Sequence, residues 1–564
     1  MASEYQMSLP YPNHSLSQMT SSEAPKTRQA QAHPDGSASM ADNERVSGAR
    51  QKVLVVSLLI GLLFSSLDTA IVATSLITIS HEMNDFVHAP WIVLAYLLTY
   101  MGIYDFLFDM LSKRIPLTSD WPSIVCRAFQ GIGASGLYSL TQIGLVEIGP
   151  THRRSLMGAL VGVTLAIAFV LGPIIGGVIS ELSDWRWLFN MNVPCGLVTI
   201  LVITSFWPQE RVADLLSLSA FRSIDFLGSA MLISSSGFLV FAMQQAGSQV
   251  LAWNSPGIII SFIVSILSWL TFILWEIHLA RKRHRHIEPI FPIHLMGKRV
   301  YAAGLLVTLF TGFPYICFSI ILPERFQMVN SQSPLMAGVR ILPMLVACAC
   351  GSFLGAALSS KRNNTSYTLV GASCLQLLGV GLMTTASGDS ERAIAQYGFQ
   401  AIFGLGVGLS FSAATIMTNV MATEPHERAP AQGAVAQARV LGGCVGLSLC
   451  TILFNLHATQ NLSGHLTDAE LGMIHRSPLL GLQLPTKLRE LVRTVYIEAF
   501  GLEIKVIAIA CAIMVVISLF TLEKQPPSIE RLTAPLKDES SSYRRGSDSG
   551  TEINDIAPQQ QHTG

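Results

Sequence analysis

Runs of about twenty consecutive apolar residues, the length a helix needs to cross a bilayer, recur along this chain near 53–76, 90–111, 127–148, 154–180, 186–207, 225–245, 256–280, 300–322, 334–358, 366–386, 393–418, 432–455 and 499–521. These thirteen runs leave little choice of fold. In hydrocarbon a backbone must satisfy its own hydrogen bonds, and a helix does so within one segment. Only 13% of the 564 residues are charged and half are hydrophobic, whereas soluble domains carry about 25% charge. The predicted fold is therefore an all-α membrane protein with thirteen clear spans.

Where the charges fall fixes the expected orientation, because Lys and Arg in short loops stay cytoplasmic. The basic loops hold Lys113-Arg114, Arg153-Arg154, Arg211 with Arg222, a cluster from Arg281 to Arg299, Lys361-Arg362, and Arg428. Between them lie loops with no basic residue, His81 to Pro90 and Gln245 to Pro256, or with one, at Arg186, Arg325 or Arg392. The long segment 456–498 carries four, and long loops translocate regardless of charge. Overall, 36 Lys+Arg balance 36 Asp+Glu, so no basic excess points to nucleic acid.

One stretch breaks the alternation. Between the loop closed by Arg114 and the span opening at Arg127 the chain must cross once more, yet only IPLTSDWPSIVC intervenes. As a helix those twelve residues reach about 18 Å, and Pro116, Asp120 and Pro122 suit hydrocarbon badly. A third span is thus predicted to be missing or truncated. A natural deletion, a misassembled coding sequence and a re-entrant segment all fit.

Three sequence patterns carry chemistry. LDTAIVATSLITIS in the first span places Asp68 deep among apolar residues, where a carboxylate is a functional candidate by default. RAFQGIGASG sets Arg127 and Gln130 one helical turn apart on one face. LGPIIGGVIS holds Gly172, Pro173, Gly176 and Gly177, so this helix can bend or pack closely against a partner. The next span opens with WRWLFNMNVPCG, whose tryptophans suit an interfacial belt.

Together these patterns resemble the major facilitator superfamily, in particular its fourteen-span drug:proton antiporter branch, which in fungi includes exporters of toxins and secondary metabolites. The resemblance covers residues 50 to 525 and implies a major facilitator helical bundle. It implies proton coupling at Asp68, Arg127 and Gln130, and an antiporter motif at Gly172, Pro173, Gly176 and Gly177. Departures are Ala159 and Ala168 where further glycines are usual, and Ala70 and Ile77 in the first-span motif. Of the basic loop motif between the family's second and third spans only DMLSKR remains, with Asp109, Lys113 and Arg114 as remnants.

The expected organisation is a disordered cytoplasmic tail over 1–50 and an N-terminal bundle over 51–207. Two linker spans and a basic loop follow over 208–299, then a C-terminal bundle over 300–523 with the outer loop 456–498, and a disordered tail over 524–564. Gln244, Gln245 and Asn419 are polar at membrane depth and are candidates for the substrate cavity, though hydrogen bonds between helices explain them as well. Asn461 lies in an outward-facing Asn-Leu-Ser sequon and is the expected glycosylation site. Asn13, Asn363 and Asn364 sit in sequons on the cytoplasmic side. The run ARKRHRHIEP, with His284 and His286, reads as a solvated loop, and Ser547 lies in a basic phosphorylation context. The nine cysteines lack metal-ligand spacing, so no metal or cofactor is expected.

The function expected is secondary active transport, with protons entering while an amphiphilic small molecule leaves. Asp68 is the expected proton carrier, acted on by the opposite charge of Arg127. The partners are then the substrate, protons and the bilayer, with a monomer expected in the plasma membrane, or alternatively the vacuolar membrane. No nucleophile–base pair or phosphate loop suggests an enzyme. The alternatives are a non-transporting sensor or inactive paralogue, given the lost span, and a siderophore or amino-acid carrier of the same superfamily.

Overall fold

The computed structural model describes residues 48–83, 85–86, 88–100, most of 127–145, 154–207, 225–282, 289–359, 362–385, 393–422, 425–476, 478–523 and 526–527. The expected third span and the DMLSKR remnant lie outside the described residues. So do residues 1–47, 524–525 and 528–564 of the expected tails, Lys361, the loops holding Arg211, Arg222, His284 and His286, and the sequon at Asn13.

Every regular element among the described residues is helical. In chain order the principal ones are α1 (Gly48–Met83), α2 (Ala89–Tyr100), α3 (Arg154–Leu182), α4 (Trp187–Asn190), α5 (Asn192–Phe206), α6 (Phe226–Gly247), α7 (Pro256–Lys282) and α8 (Arg299–Met328). There follow α9 (Pro334–Arg340), α10 (Leu342–Leu358), α11 (Thr365–Thr385), α12 (Ala393–Met421), α13 (Pro425–Leu462) and α14 (Thr486–Leu519). Described residues of 127–145 form a further helix between α2 and α3. Among the described residues eleven stretches are long and apolar enough to span a bilayer, against thirteen runs in the sequence. The other two are α2, described only to Tyr100, and the 127–145 helix, described in part.

What the helices bury separates core from periphery. In α8 72% of the most apolar window is buried, against 22% in α7 and 11% in the α4–α5 span. Ile259, Ile260, Ile263, Leu267, Leu270 and Leu274 of α7 lie exposed along one helix. In water such a contiguous apolar face would be untenable, whereas lipid tails solvate it. α7 packs on α6, and α6 packs on α13. α1 packs on α3 and α5, while α10 and α11 flank α12. Close approach rests on small residues: a side chain at Gly404 or Gly408 of α12 would run into the Met344 or Cys348 backbone of α10.

Contacts at the helix ends sort the loops into two faces. On one, Arg50 Nε donates to the Phe206 carbonyl at 2.7 Å, Lys298 Nζ to that of Met421 at 3.0 Å, Arg299 to that of Leu522 at 2.8 Å, and Asn363 to that of Pro527 at 2.9 Å. On the other, Arg186 meets Glu82 at 3.2 Å, Asn455 donates to the Gly247 carbonyl at 3.2 Å, and Arg493 Nε to that of Val329 at 3.1 Å. The first face carries Arg50, Lys298 and Arg299 and is the one expected to be cytoplasmic, the opposite face being the outer one on that reading.

Two boundaries differ from the sequence expectation. Arg325, read as a loop residue, lies inside α8 and is only 8% exposed. The segment 456–498 is largely helical: α13 runs on to Leu462, a short helix spans Asp468–Arg476, and α14 begins at Thr486. A hydropathy reading stops at the lipid edge, whereas backbone hydrogen bonding carries a helix on into water through Lys487, Arg489 and Glu490.

Candidate functional site

Asp68, in the middle of α1, is buried at 2% exposure, and Arg127 at 3%. Arg127 Nη1 donates to Asp68 Oδ2 at 2.6 Å and to Gln130 Oε1 at 2.9 Å. Gln130 Nε2 donates in turn to Asp68 Oδ1 at 2.8 Å. The one-turn spacing of Arg127 and Gln130 thus lets both side chains converge on one carboxylate. Asn192 Nδ2, from the first residue of α5, supplies a third donor to Asp68 Oδ1 at 2.8 Å. Its position within WRWLFNMNVPCG and its amide chemistry were the available signals, and the sequence reading passed over them.

A second layer fixes the guanidinium. Arg127 Nε donates to the Ile92 carbonyl of α2 at 3.2 Å, and its head lies 4.3 Å from the Tyr96 ring centroid and 5.3 Å from that of Phe189. Tyr96 is itself held, donating to the Ser65 carbonyl at 3.2 Å and accepting from Thr69 Oγ1 at 3.0 Å. Gly131 makes this approach possible, since any side chain there would meet the Tyr96 carbonyl. Taking the two charges out of water is costly unless each is paired and hydrogen-bonded. Here the carboxylate has three donors, and the cation has an anion, a carbonyl and two aromatic faces.

Gly172, Pro173, Gly176 and Gly177 occupy a different place, where α3 packs against α1 and α9. A side chain at Gly172 would strike Ala70 of α1, and one at Gly176 would sit 2.6 Å from the Ile71 carbonyl and Thr74 Oγ1. A Cβ at Gly177 would lie 2.5 Å from Leu335 Cα of α9. The Pro173 carbonyl abuts Gly338 and accepts from Thr74 Oγ1 at 3.4 Å. Across the same seam Gln327 Nε2 of α8 donates to the Thr74 carbonyl at 3.0 Å. These contacts close the outer ends of α1 and α3 against α8 and α9.

The remaining candidates do not join either cluster. Gln244 is fully buried in α6, with Nε2 donating to Ser248 Oγ at 3.3 Å. Gln245 is 7% exposed beside it, and Asn419 is half-buried near the C-terminal end of α12. Asn461 is exposed at the outer end of α13, its amide donating to the His457 carbonyl at 2.9 Å. Among the described residues no cluster of His, Cys, Asp and Glu has the makings of a metal site. The sequence reading also missed Glu324 and Glu503, which line an outer cavity. The signal was available, since a carboxylate within a span is a candidate by default, but the shorter spans drawn there left Glu324 in a loop.

A spanning bundle with an ion pair buried in one half and an interface closed at one end defines a multi-pass membrane transporter. The comparisons name its family: the chain matches the Major Facilitator Superfamily over residues 59–447, and it belongs to that superfamily. It is 33% identical over 509 residues to the MFS-type transporter FPY5 of Fusarium mangiferae, an alignment covering 85% of each chain. It is 26% identical over 445 residues to the efflux pump aflT of Aspergillus parasiticus, covering 75% of this chain and 85% of that one. Among solved structures it is similar to a D-xylose-proton symporter, with 12% identity, a TM-score of 0.47, and coverage of 85% of this chain and 99% of that one.

Proposed function

We propose that this transporter exports an amphiphilic small molecule in exchange for protons, with Asp68 and Arg127 as coupling residues. The observation that supports it most is the buried Asp68 carboxylate, salt-bridged to Arg127 and capped by Gln130 and Asn192. A pair built this way has two states. In one, Arg127 neutralises Asp68; in the other, a proton does, and the guanidinium is released to other acceptors. Movement between the states changes which helices are tied together, since Asp68 sits on α1, Asn192 on α5 and Arg127 beside α2. The named relatives, an efflux pump among them, support export as the direction.

The test uses lipid vesicles holding the full chain, a fluorescent amphiphilic dye and an imposed pH step. Dye movement should follow the proton gradient. Asp68→Asn should remove that dependence while dye exchange at equal pH on both sides persists. Gradient-driven movement that survives Asp68→Asn rules out the coupling role.

A further inference from the structure

The outer cavity is lined by Glu324 of α8 and Glu503 of α14, together with Leu76 of α1, Pro90 of α2, Ser248, and Leu447, Cys450, Thr451 and Asn455 of α13. Glu503 is 3% exposed and its Oε2 has no hydrogen-bond partner. Among the described residues no Lys, Arg or His lines the cavity. The other titratable group on its wall is the Cys450 thiol, whose sulfur lies 3.8 Å from that of Cys317 on α8. Arg325 follows Glu324 in sequence but does not line the cavity, and His457, Glu498 and Lys505 line a separate depression on another face of α14.

Two carboxylates facing one mostly apolar cavity without a counter-charge contrast with Asp68, whose charge is matched by Arg127. A buried ionised carboxylate without a partner is costly in a low-dielectric setting, and a neighbouring like charge adds to the cost. A proton is the smallest ligand that removes the imbalance, and this cavity holds hydroxyl and amide groups at Ser248, Thr451 and Asn455 able to hydrogen-bond a carboxylic acid.

We propose that Glu324 and Glu503 form a second proton-binding site, in the C-terminal half and toward the outer face, with the exchangeable proton held on Glu503. The proton comes from the outer aqueous phase and leaves the pair with one negative charge in place of two. This deepens the proton-coupled reading above and rests on it for its role in transport, though proton binding itself is independent of any cargo. The outer contact of α1 and α3 with α8 and α9 closes near the same cavity, since the cavity-lining Met328 follows Gln327, which donates to Thr74, and Leu76 lies two positions beyond Thr74 on α1. Loading of the site and opening of that contact are thereby placed side by side.

The test is infrared difference spectroscopy of the full chain in lipid vesicles, stepped between alkaline and acid buffer, with the proton as the probe. Wild type should show a carboxylic-acid C=O band that grows on acidification. Glu503→Gln should lose that step, and Glu503→Asp should retain it. Glu324→Gln should keep the step but move it to lower pH, because a like charge has been removed. Thermal unfolding of each variant checks its folding, and the shift in Glu324→Gln reads the site even if Glu503→Gln does not fold. The proposal is overturned if Glu503→Gln keeps the wild-type step, or if Asp68→Asn alone abolishes it. A step that is intact while gradient-driven dye movement is absent would count against the exporter reading and leave this site standing.

Discussion

Arg127 Nη1 and Asp68 Oδ2 meet at 2.6 Å across 59 residues of sequence, with neither side chain more than 4% exposed. Removing one partner of such a pair strands the other charge, at a cost of about 3–5 kcal/mol. Asp68→Ala should therefore lower the unfolding temperature of the protein in detergent markedly. The double variant Asp68→Ala/Arg127→Ala, with no stranded charge, should recover part of the loss. A double variant as unstable as the sum of the two singles would show that the residues do not act as a pair.

Sequence patterns alone made the spanning helices legible, because twenty apolar residues have few other uses and the loop charges alternate. Asp68, Arg127 and Gln130 were singled out because their motifs resemble the family's, and the structure brings the three side chains together. Asn192 and Tyr96 were not, since an amide and a tyrosine are unremarkable until tertiary packing brings α5 to the carboxylate and α2 to the guanidinium of the same ion pair. Glu324 escaped because hydropathy marks the lipid edge rather than the end of a helix. The seam at Gly177 and Leu335 joins segments 158 positions apart, and no local pattern encodes which helix a small residue will meet.

The two faces of the bundle predict opposite labelling. Asn363 lies with Pro527 on the face expected to be cytoplasmic, whereas Asn461 and Ser463 lie at the far end of α13. A membrane-impermeant maleimide applied to intact cells should label Ser463→Cys and spare Asn364→Cys. Expressed in a fungal secretory pathway, the wild type should lose mass on endoglycosidase treatment and Asn461→Gln should not. Labelling of Asn364→Cys from outside would invert the topology.

Glu470 predicts a pH effect confined to the outer segment. The backbone N–H and the hydroxyl of Thr467 donate to its carboxylate at 2.9 and 2.7 Å, holding its titration below the ordinary value of 4.5. A group depressed in the folded state contributes stability above its unfolded pKa and loses it as pH falls through the folded one. The helix Asp468–Arg476 should therefore be capped at neutral pH and fray in acid below 4.5. Amide exchange across 468–471 should be faster in Thr467→Ala than in wild type at neutral pH, and the difference should vanish in acid. Equal exchange at neutral pH would show that the capping pair contributes nothing.

Gly177 offers a direct handle on the outer seam. A Cβ there would sit 2.5 Å from Leu335 Cα, and the obstacle is backbone rather than the end of a flexible side chain. Overpacking of this kind costs about 1–3 kcal/mol. The strain falls only on the state in which α3 and α9 touch, so Gly177→Ala should shift the population toward the outer-open state by roughly five- to a hundredfold, at about 1.4 kcal/mol per factor of ten. Thr74 is fully buried in that contact, accepting from Gln327 through its carbonyl, so Thr74→Cys is a reporter of opening. Its reaction with an impermeant maleimide should be faster in the Gly177→Ala background, and Gln327→Leu, which removes one hydrogen bond across the same seam, should accelerate it by a smaller factor. Unchanged reaction in both backgrounds would mean that this contact does not gate the outer face.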